Sequence, residues 1–390
     1  MEHIIELSGM LQLLFISWNK SRCDCLAQMI IAVFSTRTVN ISLLSEAFIG
    51  KAKAESNYKR IIRFLKWVPL TINLKLKLGN NSLDILGIRG KKVHMAMDRT
   101  YWKLGNHVVN FLVVTIDYDG FGIPIFFKLL PKKTDAGNSN TQQRIKLLKH
   151  VISLVGAENI ICFAGDREFI GVDWFAYLEE KGITFAIRIK FNTLAIRPGT
   201  EHTTSVKDIC NRIKKGKKKA FKGIYIIFGL KLYLAAARNE EDGELTIIVS
   251  NRNDRCMFKK YLKRWSIEIL FFYMKKNGFN MEDTHLTTHK SLEVLFFVLT
   301  LAVVWTLKVS QSLRKEIPLK KATHGRKRVS FFRRGLSAIR HSINNLAFSL
   351  EKLISYCHLI ISDISLEPSL KGVEKSKPLR ILSKITCGAT

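Results

Sequence analysis

The chain has 390 residues, with 63 Lys and Arg against 32 Asp and Glu, so its formal net charge is +31. Hydrophobic residues make up 47% of it, which is enough apolar surface for folded cores and excludes a disordered tail protein. The large positive charge disfavours self-contained small-molecule chemistry. It favours a polyanionic partner, either nucleic acid or an anionic membrane surface.

Residues 1–88 predict a helical region that binds DNA. Apolar residues recur at helical spacing at 26–34, 43–48 and 61–67. The stretch 51–67 reads as a basic helix with an apolar face, and short helices with basic turns are a common DNA-reading shape. A solvated amphipathic helix explains this one stretch equally well.

Between residues 89 and 310 the periodicity predicts an α/β domain. Three strand-like runs with short links predict an antiparallel meander, and two further strands follow, each preceded by a helix. In chain order these elements are expected at 92–98, 108–117, 123–130, 141–155, 160–166, 173–181 and 184–190. The order β-β-β-α-β-α-β is that of the ribonuclease H-like fold, in which parallel strands follow the meander.

The region at about 191–252 interrupts this order and predicts a β-rich insertion. Asp242-Gly243 is a hairpin signal between two β-like runs. The loop at 207–222 contains eight Lys or Arg and one Asp. Helix is expected again at 253–276. The C-terminal region, 311–390, is predicted to be helical and basic, with nine Lys or Arg at 314–334.

The cysteines and the most apolar segment indicate the cellular compartment of the protein. Seven cysteines without a regular framework or a C-x2-C pair predict reduced, intracellular thiols and no structural zinc site. The N-terminus is acidic and carries no secretory pattern. The apolar stretch at 292–307 is shorter than the ~20 residues of a bilayer span. It predicts a buried core helix and no membrane partner.

Three carboxylates stand out by position. Asp98 closes the first predicted strand, Asp166 closes the fourth, and Glu268 lies on the helix after the insertion. The first and fourth strands of a ribonuclease H-like sheet are neighbours, so their ends meet, and a helix packed across them can add a third acid. Three converging carboxylates suit magnesium or manganese. Two such ions can activate a water or a 3′-hydroxyl for attack on a phosphodiester.

The helix around Glu268 carries a polar stripe. At about 100° per residue, Tyr261, Arg264, Glu268 and Lys275 fall within an arc of about 60°. The rest of the circumference is largely apolar, which predicts a buried helix whose polar stripe faces the site. Arg264 and Lys275 can bind phosphates, and Tyr261 can donate a hydrogen bond.

Each of these acids also has an ordinary structural explanation. An Asp at a strand end is usually a turn or cap residue, and a Glu between Arg and Lys is usually part of a helix salt bridge. Asp119 fits the Asp-Gly turn and Asp173 fits a helix N-cap, while Glu168 could supplement the site but ranks below Asp166. Asp117 and Asp135 are further competitors.

The combined pattern resembles the DDE transposases of bacterial insertion sequences. The similar branch carries a Y-x2-R-x3-E-x6-K signature, which is complete as Tyr261, Arg264, Glu268 and Lys275. The segments MDRTYWKLG (97–105) and GDREFIGVDWFAYL (165–178) also look like that branch, as do PKKTDAGNSNTQQRI and HGRKRVSFFRRGL. The resemblance covers roughly residues 55–340.

The resemblance implies site residues and a cofactor. Asp98, Asp166 and Glu268 would bind magnesium, with manganese able to substitute, as two ions. Tyr261, Arg264 and Lys275 would contact transposon-end DNA. Further DNA contacts are predicted next to the acids and in the basic segments, at Arg99, Arg167, Lys217, Lys218, Arg326 and Arg328.

The resemblance also implies how the protein works. Members of the branch excise their element by a cut-and-paste route as dimers on paired ends, with a DNA hairpin in the better-known cases. In the hairpin makers a Trp of the insertion can hold a flipped base. Residues 195–250 contain no Trp, and Phe221 or Tyr225 could substitute. We expect a cytoplasmic, nucleoid-associated homodimer on double-stranded DNA.

Three other functions compete with this expectation. A ribonuclease H-like nuclease without strand transfer needs the same acids but no specificity for transposon ends. An inactive DNA-binding relic of a transposase would bind DNA without cutting it. A basic membrane-surface protein would bind anionic lipid even when DNA competes.

Overall fold

The computed structural model describes residues 1–105, 107–131, 139–316 and 329–364. Its helices are α1 (Glu2–Leu14), α2 (Lys20–Thr36), α3 (Ile41–Glu46), α4 (Ala54–Trp67), α5 (Ile72–Ile85), α6 (Thr141–Val155), α7 (Val172–Glu180), α8 (Val206–Cys210), α9 (Met257–Leu262), α10 (Trp265–Phe272), α11 (His289–Glu316), α12 (Phe331–Asn344) and α13 (Leu346–His358). Its strands are β1 (Val93–Leu104), β2 (His107–Tyr118), β3 (Phe121–Leu129), β4 (Ile160–Gly165), β5 (Phe185–Arg188), β6 (Leu194–Ile196), β7 (Thr203–Ser205), β8 (Lys218–Ala220), β9 (Tyr225–Ile227), β10 (Leu230–Arg238) and β11 (Leu245–Ser250).

The described strands form one mixed sheet whose core is ribonuclease H-like. The order is β3-β2-β1-β4-β5-β11-β10-β9-β6-β7, with β8 paired to β10. The strands β1, β2 and β3 are antiparallel, and β4 and β5 continue the sheet as parallel strands. Parallel neighbours need long crossovers, which α6 and α7 supply. The predicted fold class is confirmed.

The predicted β-rich insertion is also present. The strands β10 and β11 form an antiparallel hairpin around Asp242-Gly243, from Tyr233↔Ser250 to Arg238↔Leu245. Because β11 pairs with β5, the insertion extends the core sheet instead of forming a separate layer.

The most apolar segment of the chain is the centre of α11. The stretch His289–Arg314 is long and apolar enough to cross a membrane. However, 94% of its 18-residue apolar segment is buried inside the protein. Phe296 stacks on Phe111 of β2 and packs against Phe127 of β3, with ring centroids 4.6 and 4.5 Å apart. This burial is that of a core helix, as the sequence predicted.

Helices from the two ends of the chain pack together around α11. The helix α1 contacts α13, and α2 contacts α12, although these pairs are far apart in sequence. The helical N-terminal region is confirmed as helical, and so is the described part of the C-terminal region. The domain boundaries at residues 88 and 310 stay predictions.

Two element predictions were wrong in detail. The first strand continues to Leu104 because β2 pairs with it along that length, so Asp98 lies inside β1 and does not close it. The helix expected at 253–276 is interrupted. It tightens to i→i−3 hydrogen bonds around Arg264 and widens into a π-helix at Tyr273–Asn277. These changes in helical pitch depend on tertiary contacts, which the periodicity of the sequence does not reveal.

Candidate active site

The two aspartates lie where the parallel strands β1 and β4 part. The last parallel pair is Ala96↔Ala164, and Asp98 and Asp166 each follow that pair by two residues. The strand β4 ends at Gly165, so Asp166 begins the next loop, whereas Asp98 stays in β1 opposite Val113. The register therefore brings the two carboxylates to neighbouring positions.

Arg264 joins Asp98 to Glu268. Its Nη1 donates to Asp98 Oδ2 at 3.2 Å, and its Nη2 donates to Glu268 Oε1. Only 9% of the Arg264 side chain is exposed. The Tyr261 ring is buried beside the guanidinium, with 5.7 Å from the guanidinium carbon to the ring centroid. Tyr261, Arg264 and Glu268 of the predicted polar stripe therefore lie together at the acids, whereas Lys275 does not.

Burial and neighbouring charges set the protonation of this cluster. Burial, followed by the charges of Glu168 and Asp166, raises the pKa of Asp98 to about 7, against the lowering effect of Arg264. Burial alone would lower the pKa of Arg264, but Tyr261, Glu268 and Asp98 together hold it above its ordinary value. Arg264 therefore stays charged and neutralises part of the acid cluster.

The donor set fits a hard divalent cation. Asp166 Oδ1 is buried and has no hydrogen-bond partner among the described residues, which leaves an acceptor that a cation would satisfy. Asp98 and Glu268 already share one cation, the guanidinium of Arg264. Within the described ranges, no three Asp, Glu, His or Cys side chains form a ready-made metal group. The ligand assignment of the three acids stays a prediction.

Glu168 and Asp117 are engaged in other ion pairs. Glu168 accepts from Arg99 Nε at 2.5 Å and from Ser139 Oγ at 3.1 Å. The side chain of Arg99 is only 10% exposed. This pair ties β1 to the loop after β4, which favours a structural role for Arg99 over contact with DNA. Asp117 pairs with Lys263 at 3.0 Å.

The remaining competing acids lie outside the cluster. Asp119 occupies the Asp-Gly turn with a left-handed φ of 51°, as expected. Asp173 lies in the first turn of α7, whose N-cap is Gly171, so the N-cap prediction for Asp173 was wrong. Asp135 lies outside the described residues.

The other predicted DNA contacts lie at several places. Arg167, Lys217 and Lys218 are exposed, as DNA-binding residues must be. Lys275 donates to the carbonyl of Tyr101 at 2.8 Å and pairs with Glu282 at 2.8 Å. The π-helix thus directs Lys275 to the outer part of β1. Two predicted contacts fall outside the described residues, Arg326 and Arg328.

The proposed substitutes for a base-holding Trp lie on the insertion. Tyr225 is buried, and its hydroxyl accepts from Arg197 Nη2 at 3.3 Å, so it belongs to the core of the insertion and cannot hold a base. Phe221 is half-buried, with Lys219 Nζ 5.1 Å from its ring centroid.

An exposed apolar ridge beside the acids was missed from the sequence. Leu262, Trp265 and Phe272 are 56%, 60% and 50% exposed, although this helix was predicted to be apolar because it is buried. Their spacing of three and seven residues places them on one face, a signal that the sequence did contain. Trp265 directly follows Arg264, and an exposed indole beside cationic groups can stack on a nucleobase.

A comparison with protein families agrees with this geometry. Residues 89–305 match the family model described as transposase DDE domain, and this span is more than half of the chain. The chain belongs to this DDE transposase family. The match spans the whole acid cluster and supports a DDE transposase of the insertion-sequence type. No curated protein matches the sequence.

Membership in this family establishes the general function of this DDE transposase. The family transposes DNA and typically uses divalent metal ions, so DNA is the partner that the sequence predicted. The buried apolar helix α11 is consistent with a soluble protein that acts on DNA. The finer assignment to the branch with the Y-x2-R-x3-E-x6-K signature stays a prediction.

Proposed function

We propose that this DDE transposase binds the terminal inverted repeats of its insertion sequence as a homodimer and catalyses cut-and-paste transposition at the nucleoid. The observation that carries the proposal is the placement of the acids. The register places Asp98 beside Asp166, and Arg264 joins Asp98 to Glu268. The net charge of +31 supplies general attraction to DNA phosphates.

The three acids would hold the metal in this reaction. Asp98, Asp166 and Glu268 provide carboxylate oxygens for magnesium, or for manganese in its place. Two such ions, when bound, supply the Lewis acidity that activates a water or a 3′-hydroxyl and stabilises the leaving oxygen. Asp98 binds as a carboxylate, so it must release the proton that its raised pKa retains.

Arg264 would exchange partners during the reaction. In the structure its guanidinium binds two carboxylates, whereas the same planar group binds a phosphate in a bidentate manner. If the carboxylates of Asp98 and Glu268 held metal, the guanidinium of Arg264 would be free to turn to the DNA backbone. Tyr261 restrains the movement from one side, and Trp265 presents its exposed ring to a neighbouring base.

The proposal is tested with purified protein, magnesium and DNA that carries the inverted repeats flanking the gene. We expect nicking at the repeat ends and joining of pre-cut ends to a target, both resolved on denaturing gels. Cleavage without joining would favour the ribonuclease H-like nuclease. End-specific binding without any cleavage would favour the inactive relic, and cleavage without preference for the repeats would contradict the proposal.

A further inference from the structure

A cavity of about 430 Å³ lies apart from the acid cluster. Its walls come from three parts of the chain, Arg37 after α2, residues 276–278 at the end of the π-helix, and the 333–344 part of α12. The volume lies within the ~300–1,000 Å³ of ligand clefts. None of the three candidate metal ligands lines it.

Cationic side chains line this cavity, and none of the described lining residues is acidic. Arg37, Lys276 and Arg333 are exposed at its surface, and Arg340 is half-buried. No described carboxylate forms an ion pair with any of these four residues. Asn277 and Asn344 add neutral donors. Because cations this close together repel one another, the cavity favours an anion that neutralises them.

Arg340 is fixed in place by the backbone of two walls. Its Nε donates to the carbonyl of Phe34 at 3.2 Å, and its Nη2 donates to the carbonyl of Gly278. Burial, and then the charge of Arg37, lower the pKa of Arg340 to about 10. The guanidinium thus stays protonated near neutral pH, and no described carboxylate compensates its charge.

Two unusual backbone conformations meet at the cavity. Arg37 has a left-handed φ of 61° at the end of α2, where Gly or Asn is usual because other residues are strained there. The π-helix Tyr273–Asn277 forms the opposite wall. Both kinds of conformation are costly and occur often at functional sites.

We propose that this basic cavity binds a backbone phosphate of the substrate DNA at a distance from the acids. The proposal rests on the proposed function for the identity of the substrate. Guanidinium groups bind phosphate oxygens through paired N–H donors, and the amides of Asn277 and Asn344 can complete the contact.

The position of the cavity favours a DNA strand over an unrelated anion. Lys276 follows Glu268 by eight residues, or at most about 12 Å at the α-helical rise of about 1.5 Å per residue, since the segment ends in the π-helix. That length corresponds to three or four base pairs at about 3.4 Å each. A strand at Glu268 can therefore reach the cavity. A phosphate bound there would also hold the end of the segment that carries Glu268.

The test removes two cations that make no described ion pair. Lys276→Gln with Arg333→Gln is compared with the charge-matched control Lys146→Gln with Lys149→Gln, two exposed residues of α6. Binding of the full-length chain to an inverted-repeat duplex is measured in EDTA between about 50 and 200 mM salt. Circular dichroism and thermal melting establish that both double variants fold.

We expect the cavity variant to lower the slope of log K against log salt by about 0.9, since the proposed contact is with one phosphate and each phosphate contact contributes about 0.9. Its affinity should fall about tenfold or more, while the control stays within about twofold of wild type. A cavity variant with the slope and affinity of the control would overturn the proposal. Wild-type protein that binds no DNA would overturn the proposed function as well, so the two failures are distinguishable.

A second experiment distinguishes DNA from free phosphate and from anionic lipid as the ligand of the cavity. Melting temperatures are compared in inorganic phosphate and in chloride at equal ionic strength. If phosphate stabilises wild type but not the cavity variant while DNA binding is unchanged, the ligand is free phosphate and the DNA proposal is wrong. Binding to phosphatidylglycerol vesicles that needs Lys276 and Arg333 and survives excess DNA would also overturn it.

Discussion

Two sites of this transposase each contain a shielded arginine in opposite surroundings. Arg264 lies between the carboxylates of Asp98 and Glu268, and its pKa is raised. Arg340 donates hydrogen bonds to two backbone carbonyls and has no ion pair with a described carboxylate; it lies near Arg37, and its pKa is lowered to about 10. Burial of an arginine therefore does not identify its role, whereas the charge of its neighbours does.

Because their charges are opposite, the two sites favour ligands of opposite charge. At the acid cluster, negative charge exceeds what one guanidinium neutralises, so the site favours a further cation. At the basic cavity, positive charge has no described counterion, so the site favours an anion. The segment from Arg264 to Gly278 connects the two, which gives DNA binding at one site a direct structural link to the other.

Removal of the acids is the strongest test of the negative site. Asp98→Ala, Asp166→Ala and Glu268→Gln should each slow end cleavage at least about 1,000-fold, because a lost ligand forfeits several kcal/mol of transition-state stabilisation. The exposed Asp173→Asn is the control and should cut at the wild-type rate. Initial nicking rates are the measurement. Wild-type rates in any of the three variants would remove that residue from the site.

Gly278 tests the segment that connects the sites. A Cβ at this position would clash with the carbonyl oxygen of Tyr273, so Gly278→Ala should lower the free energy of unfolding by about 1–3 kcal/mol. Gly9 in α1 has open space around it, so Gly9→Ala should be neutral or stabilise by up to about 1 kcal/mol. Denaturant unfolding measures both. Equal effects would show that the backbone around Gly278 accommodates the added methyl group.

Arg264 tests whether a protein cation occupies the place of a metal. Arg264→Gln should raise the affinity for Mn²⁺ in the absence of DNA about tenfold, because the competing positive charge is lost. The same change should weaken binding to transposon ends. Arg264→Lys keeps the charge and should raise the affinity less. Calorimetric titration with Mn²⁺ is the measurement, and an unchanged affinity in Arg264→Gln would place the metal elsewhere.

The protonation of Asp98 should appear in the pH dependence of metal binding. The pKa of this acid is raised to about 7, so it holds a proton below that pH and must release it to bind metal. Mn²⁺ affinity should therefore rise about tenfold from pH 6 to pH 8 and level off above. A flat profile over this range would mean that Asp98 is already ionised in the metal-free protein.

Local patterns in the sequence predicted much of this molecule. Alternating polarity predicted the core strands, and their order predicted the ribonuclease H-like sheet, which the parallel pairing of β1 with β4 confirms. The helix at Thr141–Val155 begins and ends where predicted. Strands and helices repeat every two or 3.6 residues, so the pattern of nearby residues is enough to predict them.

The missed features depend on contacts between distant segments. Pairing with β2 extends β1 past Asp98, and the contacts of Arg264 and Lys275 accompany changes of helical pitch that periodicity does not show. Trp265 is exposed because none of the described elements covers that face of α10.

The sequence by itself determined the fold class, the order of the acids and the excess of positive charge. Only the tertiary structure placed Arg264 between Asp98 and Glu268, and only it brought Arg37, Lys276 and Arg340 into one cavity. The physical reason is the range of the interactions along the chain. Secondary structure follows from near neighbours in the chain, whereas electrostatic partners are set by distance in space, which sequence separation does not report.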